Sequence, residues 1–179
     1  VTGPPPPESG PVAASPALVF VIEPYRLMAN ALWVRELLSH GEARRPGEGR
    51  SGVRVSGGGH LAWRGRLVPV VGLAALLGRA GSEPAASQAV STTVDMIYGE
   101  SEAGTLVSFA VDRVVGLRHL AATELRPLPP LPPEVGRLLS GIVLDPTGGP
   151  GLLRLGAGSE VLLRMWRDRP TAGESGRRS

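Results

Sequence analysis

Glycine and proline constrain this chain more than any other feature. There are 25 Gly and 18 Pro among 179 residues, about a quarter of the whole. In a helix interior Gly costs about 1 kcal/mol and Pro about 3 kcal/mol relative to Ala. This argues against a helical bundle and for short elements joined by many turns. The length suits one domain, or two small lobes on a common core.

Other chemistry is excluded by what is missing. The chain has no Cys, which removes disulfide scaffolds, Cys-ligated metals and Cys nucleophiles. Every one of its 19 basic residues is Arg, so a phosphate-loop lysine, a Schiff base and a kinase-type lysine are absent. The formal charge is +3 and aromatic residues are 4%, which argues against a nucleic-acid binder. No stretch reaches 18 apolar residues, so no membrane insertion is expected.

Residues 1–17 carry many prolines and little to bury, and read as a disordered arm. They lack a basic start before an apolar stretch and do not read as a signal peptide. Residues 168–179 read as a disordered polar tail. Between them, 18–167 reads as a single domain of about eight to ten short strands, all-β and barrel-like. Leu18 to Ile22 is a strand, with Tyr25 to Leu27 pairing back on it. Met28 to Leu38 fits a short helix, and Val34 to Leu38 equally fits a strand. Residues 39–59 form a long glycine-rich loop with arginines around Arg44-Arg45 and Arg50 to Arg54, and at most an edge strand at Val53 to Val55. Leu61 to Val71 is a hairpin turning at Arg64-Gly65-Arg66, with Pro69 marking an edge or bulge. Leu73 to Leu77 is a helical turn closed by Gly78. Gly81 to Gln88 is a linker. Strands follow at 89–98 and at 105–117 with Asp112 interrupting; 135–144 is a turn and strand, and 152–155 a further strand. Val161 to Trp166 closes the domain as helix or strand.

Several segments, in this order, resemble the CheW-like adaptor domains of bacterial chemosensory systems. Arg64-Gly65-Arg66-Leu67-Val68-Pro69-Val70-Val71-Gly72-Leu73 with Leu77-Gly78 resembles their arginine–glycine hairpin and Val-Pro-Val strand. Phe20, Tyr25 and Val34-Arg35-Glu36-Leu37 resemble the opening strands and the acidic residue. Phe109 to Leu117 resembles the Val-Asp strand pair, Arg126-Pro127-Leu128-Pro129 the proline connection, and Ser140-Gly141-Ile142 the late strand. The similarity spans roughly Leu18 to Trp166. It implies two small SH3-like five-stranded β-barrel subdomains sharing a hydrophobic seam, with short helical turns. It also implies a non-enzymatic cytoplasmic adaptor without cofactor, coupling a chemoreceptor's cytoplasmic tip to the regulatory domain of a CheA-type histidine kinase. The partner-binding residues it implies are Arg64, Glu36 and Gly59, with Trp63 and Gly65 beside the arginine. Trp63 is either an interface anchor or a core residue.

The chain departs from that pattern in places. The segment before the hairpin is EARRPGEGRSGVRVSGG, basic and glycine-rich, and the loop between Glu36 and Gly59 is a few residues long for the family. Gly72 stands where the family has Asp, and Ala62 where it has Asn. One alternative is accordingly a partial adaptor that binds the receptor and not the kinase. A second is a nucleic-acid module using the basic loop Arg44 to Arg54. A third is a hydrolase in which Asp95, Asp112 and His119 converge. His40, His60 and His119 lack metal-ligand spacing. Asp112 reads as a structural carboxylate accepting backbone N–H groups at a turn. Arg126 to Pro133, RPLPPLPP, matches an SH3-ligand pattern in letters.

Overall fold

The computed structural model describes residues 14–39, 54–55, 59–78, 93–145 and 149–169. The arm over 1–13, most of the 39–59 loop, the 81–88 linker and the tail from 170 lie outside these. So do Arg44, Arg45 and Arg50 of the basic-loop alternative, and His40.

Eleven strands and three short helices are present among the described residues. The strands are β1 (Ser15–Ile22), β2 (Tyr25–Asn30), β3 (Val34–Ser39), β4 (Arg54–Val55), β5 (His60–Trp63) and β6 (Arg66–Pro69). After α1 (Leu73–Leu76) come β7 (Val94–Tyr98), β8 (Val107–Val111) and β9 (Arg113–Leu120). Next are α2 (Pro133–Gly136), β10 (Leu139–Val143), β11 (Leu152–Leu155) and α3 (Ser159–Arg167). Met28 to Leu38 divides between the two readings. β2 runs to Asn30, whose side-chain oxygen accepts from Leu32 N at 3.0 Å and starts a single 3₁₀ turn, Ala31–Trp33; β3 follows. Val161 to Trp166 is helical, within α3.

The expectation of two closed five-stranded barrels is not met. The strands form three open sheets, ordered β10-β11-β2-β1-β9, β3-β7-β8 and β4-β5-β6. Proline accounts for two of the open edges, because it has no N–H to extend a ladder. β6 ends at Pro69, and the chain then meets β8 only through Val70 opposite Ser108, with Val71 N donating to Ser108 O at 2.7 Å. The segment beside β10 is the proline strap after Arg126. It pairs at one residue, with Arg126 N to Ile142 O at 2.8 Å and Ile142 N to Arg126 O at 2.9 Å.

The apolar pattern explains how the sheets pack. β1 is buried on both faces. Leu18, Phe20 and Ile22 enter the main core, and Ala17 and Val19 a second cluster with Met28, Leu120, Val143 and Leu152. An uninterrupted apolar run such as LVFVI is what a strand covered on both sides requires. The main core is common to the five-stranded sheet and to β7 and β8. Phe20, Phe109 and Tyr98 pack in succession through it as tilted rings, with centroids 6.1 and 5.7 Å apart. Leu162 of α3 and Leu73 of α1 seal one side.

The departure at Gly72 has a packing cause. A Cβ at Gly72 would stand 2.6 Å from the Trp166 ring of α3, closer than atoms in contact approach. Trp166 thus occupies the space that an Asp side chain would need. Asp112 has its expected structural role: its Oδ2 accepts from Glu23 N at 2.7 Å, closing the end of β1.

Candidate partner-binding surface

The hairpin β5–β6 turns through two residues, Arg64 and Gly65, between the paired Trp63 and Arg66. Arg64 has φ 45° and Gly65 φ 75°. Two positive φ values in a two-residue loop match the right-handed twist of the flanking strands. Gly65 takes this conformation freely, whereas an arginine does so at a cost. The turn lifts the Arg64 guanidinium off the sheet, where it is 56% exposed.

Trp63 lies directly beneath it. Trp63 is only 2% exposed and packs with Leu61, Val68, Ile97 and Leu106 between the hairpin sheet and β7. Of the two readings of this residue, the core one describes its position. Its indole still takes part in the surface: Nε1 donates to Glu36 Oε2 at 2.8 Å, and the ring lies 4.8 Å from the Arg64 guanidinium carbon.

Glu36 comes from β3, 27 residues earlier in the chain. The register of β3 against β7 shifts between Val34 and Glu36, so Arg35 is the extra residue of a bulge. A bulge redirects the side chains around it. Arg35 turns back to the carbonyls of Gly99 and Glu100, at 2.9 and 2.6 Å. Glu36 meets Arg64 Nη2 at 3.1 Å. One carboxylate thus accepts from both a buried indole and an exposed guanidinium.

A second carboxylate, Glu102, was not anticipated from the sequence. It lies in the β7–β8 loop, with Oε1 3.7 Å from Arg64 Nη1. The loop backbone is held by Arg66, which donates to the Glu102 carbonyl and, at 3.3 Å, to that of Gly104. A polar loop joining two strands has no motif that names its contact; only the hairpin laid across it brings Arg64 and Glu102 together.

Of the five expected residues, four are gathered here: Glu36, Trp63, Arg64 and Gly65. Gly59 is not among them. It stands at the other end of β5 with φ 60°, and its carbonyl accepts from Val70 N at 2.5 Å, which closes the base of the hairpin. Leu67, on β6, is a large apolar side chain left 65% exposed.

The hydrolase grouping of Asp95, Asp112 and His119 does not assemble. Asp112 is engaged with Glu23 N at one end of β1, while His119 faces Pro16 near the other. Asp95 is buried in β7 opposite Ala110. Among the described residues, no group of three or more His, Cys, Asp or Glu could hold a metal ion. No helix among them is long and apolar enough to cross a membrane. In the proline strap, Leu128 and Leu131 pack on the main core, so the segment's apolar side is already occupied within the domain.

Comparison with known proteins agrees with this architecture. The CheW-like domain matches residues 16–153. Among solved structures, the scaffolding protein TtCheW from Thermoanaerobacter tengcongensis is similar with a TM-score of 0.58 and 14% sequence identity, over 81% of this chain and 90% of that one. At that identity the likeness concerns the fold alone. No curated protein matches the chain. The family match extends over most of the chain and takes in the hairpin, Glu36 and the Val-Asp strand pair, and on that ground the chain belongs to the CheW-like domain family.

Proposed function

We propose that this protein is a non-enzymatic adaptor that couples a chemoreceptor's cytoplasmic tip to the regulatory domain of a CheA-type histidine kinase, at the cytoplasmic face of the receptor array. Family membership supports the chemosensory adaptor role in general. The observation that carries the specific reading is the Arg64 guanidinium, raised on a positive-φ turn and braced by Glu36 and the Trp63 ring. A planar guanidinium exposed at the tip of a turn can meet a partner carboxylate in a defined orientation. Gly65 permits the turn, and Gly59 keeps the base of the hairpin in register. Leu67 of the same hairpin leaves an exposed apolar side chain on the other face of β6.

The test is a quantified binding measurement against two baits, a receptor cytoplasmic tip and the kinase regulatory domain, with wild type and Arg64→Glu. Binding of both baits, weakened tenfold or more by the charge reversal, is expected; a buried or braced charge contact commonly costs about 2 kcal/mol or more when broken. Binding of the receptor alone would identify the partial adaptor, in keeping with the altered segment before the hairpin. Binding of neither would overturn the proposal.

A further inference from the structure

The two carboxylates on Arg64 are held very differently. Glu36 is one-third exposed and is fixed by the buried indole at 2.8 Å as well as by the guanidinium at 3.1 Å. Glu102 is 63% exposed, and among the described residues its carboxylate meets Arg64 at a long 3.7 Å. What positions it is its backbone. The Arg66 side chain donates to its carbonyl, and the loop is closed by Gly104 N to Ser101 O at 3.2 Å and Ala103 N to Ser101 Oγ at 3.2 Å. The loop therefore presents Glu102 to Arg64 without locking the side chain. An exposed ion pair of this kind contributes little and is readily exchanged.

We propose that Glu102 is a built-in stand-in for an acidic side chain of the partner, occupying the outer amino group of Arg64 in the free protein and yielding it to the partner's Asp or Glu on binding. The inference rests on the adaptor reading above and specifies the chemistry of its contact. Glu36 and Trp63 keep the guanidinium oriented throughout, so the exchange needs no reordering of Arg64. Glu102 swings into water. The internal pair also disfavours partners that offer no carboxylate, because they would have to leave Arg64 paired with Glu102 and their own surface unmatched.

The experiment is the affinity of Glu102→Gln for the same two baits across a range of ionic strength. The expected result is binding about two- to fivefold tighter than wild type at low salt, the equivalent of removing one exposed ion pair. The salt dependence should also steepen. Wild type exchanges one ion pair for another, whereas the variant gains one on binding. A residue that merely orients Arg64 would give weaker binding instead. Equal or weaker binding with an unchanged salt dependence, in a protein whose Arg64→Glu variant binds poorly, overturns this inference and leaves the adaptor reading standing. A wild type that binds neither bait, or binding indifferent to Arg64→Glu, overturns both.

Discussion

Arg64 occupies a backbone conformation that an L side chain adopts at a cost of roughly 1–2 kcal/mol. Asparagine is the residue such a turn position ordinarily favours. Arg64→Asn should therefore stay within about 1 kcal/mol of wild type in stability, since the relieved strain offsets the loss of the Glu36 and Glu102 ion pairs, worth about 1 kcal/mol or less each, and of the Trp63 ring contact. It should bind its partners tenfold or more weakly. Thermal unfolding and the affinity measurement together check this: a clearly destabilised variant would show that the turn is not strained. The arginine was legible because Arg-Gly between two β-rich runs predicts a tight turn, and Gly65 a positive φ. Trp63 was legible as an aromatic at the hairpin, but its placement was not. Burial depends on Ile97 and Leu106, which come from distant segments.

At the scale of elements, α3 illustrates how local signals run out. No side chain of its own caps its first turn. The cap comes from Glu100, in the β7–β8 loop, whose Oε1 accepts from Ser159 N at 3.2 Å. Ser159 Oγ lies 2.5 Å from Glu100 Oε2 and 2.8 Å from the Thr105 carbonyl, and its single proton serves one of them at a time. The same short loop is thus held by Arg35 from β3, Arg66 from the hairpin and Ser159 from α3. A carboxylate near a helix start is stabilising, but sequence reasoning searches for it within the helix's own neighbourhood. Gly72 has a similarly non-local cause. Gly72→Asp would restore the family's residue and offer α1 an N-cap side chain worth about 1 kcal/mol. It would also drive a Cβ into the Trp166 ring. The clash should win, leaving the variant about 1–3 kcal/mol less stable. Trp166→Leu in that background should recover part of the loss. Denaturant unfolding of the single and double variants decides the point; a Gly72→Asp protein as stable as wild type would refute the packing account.

For the whole molecule, the decisive feature is that one apolar core joins the five-stranded sheet to β7, β8, α1 and α3. Tyr98 sits in this core, its hydroxyl donating to the Ala157 carbonyl at 3.3 Å. Burial pushes its phenol well above the ordinary value of 10.0, with nearby Glu100 adding to the shift. The folded state thus holds this proton more tightly than the unfolded chain does. The resulting stability is complete below about pH 10 and is lost as pH rises beyond it. Unfolding at neutral pH should be a single transition, with calorimetric and van't Hoff enthalpies equal. Its midpoint should fall steeply above pH 10 in wild type and less steeply in Tyr98→Phe. Two resolved transitions would mean that the sheets are stabilised independently.

The amino-acid sequence alone determined the all-β character, the hairpin with its Arg-Gly turn, the strand pair broken at Asp112 and the short helical turn after Val71. Each depends on contacts within a few residues: turn chemistry, alternation and the barring of long helices by Gly and Pro. It also carried enough of the family pattern to single out Glu36 and Arg64. Pro69 marked an edge or bulge in the sequence, but only the tertiary structure decided that the sheets stay open, with β6 and the proline strap each reaching a neighbour at a single residue. It also decided that Trp63 is a support rather than an anchor, and that Glu100 and Glu102 matter at all. Those two side chains act across 59 and 38 residues of chain, on Ser159 and Arg64. A carboxylate in a polar loop has no local preference that names such partners. Their meeting is set by how the sheets pack through the main core and the Trp63 cluster, and that packing is a sum of many weak apolar contacts from distant segments.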